Sequence, residues 1–287
     1  MLPKFLKEIK DVPYVIFFCH INFDLTLTIY YSSKGYKAFF SGQGSLNESL
    51  KWDKNASINI PKEKVESYWK DTLDQIGSDE VGTGDFFGPV VVVASYVPSN
   101  MIPLLKELGV DDSKKLTDKK ILEIVPKIID KVIHVTHICK PEKYNEQINK
   151  GQSMNEIKAI LHNDALIKVR KKINSKDMKC YVDMFTPVDS YYRYLDKWNY
   201  VPLTNNIVFE TKGESHYPSV AVSSMIARYE FIKYMDELSA ELNVTILKGA
   251  STKVDELALS ITKKYGIKKL DSLVKKNFVN YKKLLDD

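Results

Sequence analysis

Ile76-Gly77-Ser78-Asp79-Glu80-Val81-Gly82-Thr83-Gly84-Asp85-Phe86-Phe87-Gly88 runs an apolar strand into two adjacent carboxylates and then into a glycine turn. The β-branched run Val90 to Val97 follows, so the segment predicts two strands joined as a hairpin or the start of a meander. Neighbouring residues of a regular strand point to opposite faces. Asp79 and Glu80 can therefore serve one site only if the strand ends here and Glu80 reaches round, which the glycines permit. The plain alternative is a solvated acidic pair before an ordinary hairpin turn. A dinucleotide-binding loop is disfavoured, because the glycine spacing is one residue too long and a strand stands where that loop needs a helix.

Two more carboxylates occupy comparable places. Asp183 ends the short apolar run Cys180-Tyr181-Val182-Asp183, and Glu214 lies in Thr211-Lys212-Gly213-Glu214-Ser215, just before a long helix. Taken singly, Asp183 reads equally as a turn or cap residue, and Glu214 as a solvated group favouring the following helix dipole. Brought together, Asp79, Glu80, Asp183 and Glu214 would repel one another unless cations neutralised them. Mg²⁺ and Mn²⁺ prefer such oxygen ligands, and a pair of these ions can activate water and stabilise the leaving oxygen of a phosphodiester.

Outward from this segment the chain divides into two regions with a boundary expected near residue 72. The first is a small β-rich unit: residues 24–31 alternate as a half-buried strand, a turn at 32–36 leads to a second strand at 37–40, and a polar stretch at 47–61 passes into a helix opened by Pro61. Residues 73–287 interleave strands and helices, which predicts an α/β domain with a mixed sheet. Helices are expected at 117–131, from the capping box Ser153/Glu156, at 189–198, 219–242, 254–265 and 270–283; strands are expected at 132–139, 178–185 and 206–209.

Composition narrows the classes further. Forty-two basic against 37 acidic residues give +5, and the isoelectric point is about 8.7, compatible with a nucleic-acid partner without requiring one. Only Arg170, Arg193 and Arg228 are arginines, so phosphate contacts fall mainly to lysine point charges. Apolar runs stop far short of the roughly 20 residues of a membrane span, and the amino terminus lacks a secretory pattern, so a cytoplasmic protein without a membrane partner is expected. Cys19, Cys139 and Cys180 are too scattered for a metal site and read as buried thiols; His134 and His137, three apart on a strand, face opposite ways.

Six blocks occur in order: DEVGTGDFFGP from Asp79, DSKKLTD from Asp112, VDMF from Val182, TKGES from Thr211, AVSSMIARY from Ala221 and LKGASTKVDELA from Leu247. Over about residues 73 to 283 they resemble the motifs of the ribonuclease HIII family, bacterial type 2 ribonucleases H. The resemblance implies a ribonuclease H-like mixed five-stranded sheet flanked by helices, with Mg²⁺ or Mn²⁺, two ions per site, as cofactor. It implies hydrolysis of the RNA strand of RNA–DNA hybrids to 5′-phosphate and 3′-hydroxyl ends. Asp79 corresponds to the ligand shared by both ions, Glu80 and Asp183 complete the coordination, and Glu214 takes the fourth position, where the sister ribonuclease HII has aspartate.

The turn Gly82-Thr83-Gly84 also resembles the HIII type, since HII carries a basic residue between its glycines. A glycine backbone can approach a minor groove closely enough to meet a 2′-hydroxyl, the group that separates RNA from DNA. Lys114 and Lys115 correspond to phosphate contacts. The first region stands where this family carries a small domain resembling the TATA-binding protein, used to hold the hybrid. No protein partner is implied and a monomer is expected. Cleavage at single embedded ribonucleotides, as in ribonuclease HII, and a non-catalytic nucleic-acid-binding module remain open alternatives.

Overall fold

The computed structural model describes residues 6–7, 15–22, 24–32, 35–57, 69–110 and 116–286. The chain divides into two units, Met1–Val65 and Glu66–Asp287. In the first, β1 (Leu6–Lys7), β2 (Val15–His20), β3 (Leu25–Ser32) and β4 (Gly35–Gly42) form an antiparallel sheet in that order. The expected hairpin of β3 and β4 pairs without a break from Leu25↔Gly42 to Ser32↔Gly35. The first part of the polar stretch 47–61 is helical, since α1 (Ser45–Trp52) runs into it. None of its residues is buried. Glu48 instead meets Lys51 at 2.6 Å and the Trp52 indole at 3.3 Å, pairs one turn apart that support a helix from its polar side. The helix expected from Pro61 lies outside the described residues, except for its last two.

The second unit opens with β5 (Gln75–Val81) and β6 (Val90–Val97), antiparallel in register from Gln75↔Val97 to Val81↔Val91. After α2 (Ile102–Glu107) and α3 (Asp118–Ile124), β7 (Ile133–Cys139) pairs with the far side of β6. Next come α4 (Pro141–Asn149) and α5 (Met154–Lys172), the latter opened by the expected reciprocal capping of Ser153 and Glu156. Then β8 (Cys180–Asp183) lies parallel to β5, and past α6 (Val188–Lys197), β9 (Ile207–Glu210) lies parallel to β8. The short α7 (Gly213–His216) precedes α8 (Pro218–Leu242), and α9 (Thr252–Tyr265), α10 (Ile267–Asp271) and α11 (Val279–Asp286) follow. The sheet order is β7-β6-β5-β8-β9, the mixed five-stranded sheet flanked by helices that the resemblance implies.

Two helices are shorter than expected. Pro126 cannot continue α3, and tight 3₁₀ turns carry the chain from Val125 to Lys131. The stretch 270–283 breaks between α10 and α11, where Val274 bridges to Phe87.

β5 lies mid-sheet, with α8 on one face and α5 on the other. On the α8 side Val91 and Val93 pack with Ala221, Val222 and Met225; on the α5 side Ile76 packs with Ala165, Leu166 and Val169. Each fully buried valine stabilises by about 1.5–2 kcal/mol. Gly77 lets α8 approach, since a Cβ there would stand 2.3 Å from the backbone of Ser219 and Val220. Among the described residues no helix is long and apolar enough to cross a membrane.

Candidate functional site

Strand alternation sorts the side chains of β5 between the two helices. Gln75 accepts a hydrogen bond from the Ser219 hydroxyl (2.8 Å) and Gly77 offers its carbonyl to Ser223 (2.8 Å), both from α8. Asp79 continues this face. It is 4% exposed, and its carboxylate accepts hydrogen bonds from the Ser224 hydroxyl and from the Glu80 backbone N–H at 2.7 Å. In the parallel pairing with β8, Ser78 stands beside Val182, so Asp183 follows next to Asp79 on the same side. Burial pushes the Asp79 carboxyl well above its ordinary pKa, and the charges of Glu80 and Asp183 push it further. Asp183 Oδ1 accepts the Gly213 N–H at 2.9 Å, and Glu214, 1% exposed, is the next residue in α7.

Glu80 goes the other way. The ladder of β5 with β6 stays regular through Val81, so the strand does not end at the acidic pair and Glu80 faces α5. There Lys158 Nζ donates to Oε1 (2.9 Å) and His162 Nε2 to Oε2 (3.0 Å), while His162 Nδ1 meets Ser78 Oγ at 2.9 Å. The Phe185 ring stacks on His162 and lies 4.0 Å from the Lys158 ammonium. Burial alone would raise the Glu80 carboxyl, but the hydrogen bond and charge of His162, with those of Lys158, hold it down at about 2. Sequence reading missed Lys158 and His162; their one signal is a four-residue spacing that places them on one helix face.

The structure thus sets Asp79 and Asp183 side by side, Glu214 immediately after the residue that holds Asp183, and Glu80 on the opposite face. Among the described residues, no three His, Cys, Asp or Glu side chains gather tightly enough to hold one ion. What fits a hard divalent cation is the Asp79–Asp183 pair: oxygen donors, Asp79 buried and Asp183 half-buried, with like charge raising the Asp79 carboxyl in a way that a cation relieves.

Beside this pair, Gly82 takes φ +93°, and a Cβ there would lie 2.1 Å from Pro89 O and 2.9 Å from Phe231 Cε2. Gly84 is exposed, a Cβ there would meet nothing within 4 Å, and Thr83 is half-buried. The far limb of the turn is held from the C-terminal segment: Gly249 donates to Asp85 Oδ1 (2.6 Å), and the buried Lys275 ammonium donates to the carbonyls of Asp85 and Gly88, both at 2.7 Å. Burial pushes Lys275 down to about 7 against the charge of Asp85. Nothing in the sequence singles it out from the other lysines of the tail. Lys114 and Lys115 lie outside the described residues. The three cysteines are free and buried, as expected.

Known proteins resemble this chain over most of its length. The Ribonuclease HII family profile matches residues 76–281. Ribonuclease HIII of Staphylococcus aureus (strain MSSA476) is 42% identical over 269 residues, covering 90% of this chain and 85% of the relative. The crystal structure of Bst-RNase HIII in complex with Mn²⁺ superposes with a TM-score of 0.72 at 34% identity, covering 98% of this chain and 92% of that one. Aquifex aeolicus RNase H3 gives 0.59 at 26% identity, covering 95% and 91%. The chain belongs to the type 2 ribonuclease H family, in its ribonuclease HIII branch, and is an endoribonuclease.

Proposed function

We propose that this endoribonuclease hydrolyses the RNA strand of RNA–DNA hybrids, leaving 5′-phosphate and 3′-hydroxyl ends. The observation that carries the reading is the pair of buried Asp79 and half-buried Asp183 on adjacent parallel strands, next to a glycine turn whose Gly84 backbone is uncovered. In this reading Asp79 and Asp183 hold Mg²⁺ or Mn²⁺, with Glu214 beside them; a relative crystallised with Mn²⁺ supports the choice of cation. Two ions per site, the arrangement that the resemblance implies, is the finer form of the proposal. When bound, such ions lower the pKa of water and stabilise the anionic oxygens of the phosphodiester.

The chain's own groups keep that pair in place. Ser224 and the Glu80 N–H orient Asp79, and the Gly213 N–H fixes Asp183. Glu80 is neutralised by Lys158 and His162 on the α5 face, and would contribute to holding a cation only on giving up those two partners. Gly82-Thr83-Gly84 brings backbone donors to the minor groove, where 2′-hydroxyls mark the RNA strand. The first unit, with Tyr31 and Tyr36 exposed on its sheet, holds the hybrid as the domain resembling the TATA-binding protein does in this family.

The test compares cleavage by purified protein, in Mg²⁺ or Mn²⁺ at matched salt, of a full hybrid, a duplex with one embedded ribonucleotide and duplex DNA. Faster cutting of the hybrid is expected, because several consecutive 2′-hydroxyls then meet the turn. Equal or faster cutting at the single ribonucleotide moves the assignment to junction cleavage, and no cutting after metal restoration leaves a binding module.

A further inference from the structure

Glu214 is carried by α7, which is only four residues long, and a single turn of helix does not hold itself in place. Its amino end starts from Lys212 in the left-handed conformation (φ 58°) and is tied by the Gly213 N–H to Asp183 Oδ1 at 2.9 Å. That tie shares its carboxylate with the cation site. A hold that does not compete with the cation lies at the other end.

There the half-buried Glu210, the last residue of β9, gathers three partners. Its Oε1 stands 2.6 Å from Nδ1 of His216, the last residue of α7, and also accepts the Lys70 ammonium, while Oε2 accepts the Tyr217 hydroxyl at 2.5 Å. Lys70 adds its backbone N–H to the His216 carbonyl at 2.9 Å. The Tyr217 ring, 6% exposed, stacks on Tyr181 of β8 with centroids 3.7 Å apart, and the Tyr181 hydroxyl donates to Asp71 at 2.5 Å. The carboxyl end of α7 is thereby pinned to the sheet. In the parallel ladder Glu210 pairs with Asp183, so the two carboxylates stand side by side on one face, one turned to Asp79 and the other to the end of α7. A carboxylate engaged by three partners is suited to holding a helix rather than a cation.

We propose that Glu210 is a positioning residue: by holding His216, Tyr217 and Lys70 it fixes α7 and so sets the Glu214 carboxylate at the Asp79–Asp183 pair. It touches neither substrate nor cation. The proposal rests on the reading above, in which Glu214 stands beside that pair.

The test crosses Glu210→Gln with Glu214→Gln in the full chain. Mn²⁺ binding is read without substrate from the electron paramagnetic resonance signal of the free ion, and hybrid cleavage in Mg²⁺ is read as kcat and KM. Glu210→Gln is expected to weaken Mn²⁺ binding severalfold and to lower kcat about tenfold, with KM within about twofold of wild type. In the Glu214→Gln background it should change neither, because no carboxylate is left to place. Tyr217→Phe removes one hydroxyl and keeps the stacked ring; it should move both readouts in the same direction by less, and it keeps the test available if Glu210→Gln fails to fold. Wild-type Mn²⁺ binding and kcat in the folded variants, or equal losses in both backgrounds, would overturn the proposal and leave Glu210 a staple of the fold. If Glu214→Gln alone matches wild type in both readouts, the reading that sets Glu214 at the site falls, and the positioning role with it.

Discussion

The Lys158 ammonium lies 2.9 Å from Oε1 of Glu80, on the face of β5 turned away from Asp79. Both side chains are nearly buried, so removing one strands the other. Lys158→Met should destabilise the protein by about 3 kcal/mol, less whatever His162 still neutralises. Adding Glu80→Gln should restore more than half of that loss, since no buried charge is then left. Urea unfolding of the two single variants and the double variant measures the coupling; additive losses would mean that the pair does not interact.

Asp79→Asn and Asp183→Asn should each slow cleavage by about a thousandfold or more at saturating Mg²⁺, the equivalent of about 4 kcal/mol of transition-state stabilisation. Neither should lower the melting temperature without metal, because each removes one of two crowded like charges. Near-wild-type turnover by either variant would remove the pair from the metal site.

The two glycines of the turn should respond differently to alanine. Gly82→Ala meets Pro89 O and a positive φ, and should cost about 3 kcal/mol or more of stability. At Gly84 a methyl group meets nothing within 4 Å, so Gly84→Ala should melt like wild type while cutting hybrid more slowly, because the methyl then stands between backbone and substrate. Full hybrid activity in Gly84→Ala would show that the backbone is not read there.

Lys275 supplies a pH signature. A lysine lowered from 10.5 to about 7 on folding binds fewer protons folded than unfolded across that interval. Its burial penalty is therefore complete below about pH 7 and fades as the pH rises towards 10.5. Wild type should gain about 3 kcal/mol over this window relative to Lys275→Met, which carries no titrating group there. Parallel unfolding curves for the two proteins from pH 7 to 10 would show that the ammonium is not penalised.

Tyr31 and Tyr36 stand opposite each other on β3 and β4, ring centroids 4.9 Å apart, and Tyr36 is 75% exposed. Replacing both with alanine should raise KM for hybrid severalfold with little change in kcat. An unchanged KM would give the first unit another role.

Much of this was legible in the sequence because the decisive signals are local. The alternation of β3, the β-branched run of β6 and the Ser153/Glu156 capping box each fix an element within a few residues. Asp79, Asp183 and Glu214 could be singled out because Asp79 lies near the end of a strand that runs into a glycine turn, Asp183 ends one, and Glu214 follows one beside Gly213. The partners of Glu80 could not. Lys158 and His162 sit 78 and 82 residues away on α5, and only the crossing of that helix over β5 unites them. α1 was missed because its stabilising pairs are polar. The tail break at 272–278 was missed because its cause, the bridge from Val274 to Phe87, is tertiary.

The limb of the glycine turn from Asp85 to Gly88 takes nearly every external support from the end of the chain. Phe86 N–H reaches Gly249 O, Gly88 N–H reaches Leu273 O, Lys275 N–H reaches Phe86 O, and the Lys275 ammonium closes the set. During synthesis these residues emerge long after β5 and β6 are available to pair. A nascent chain still short of Lys275 therefore holds its carboxylates but not the finished turn, and the site matures only once residues 249–275 have been added to a sheet already begun.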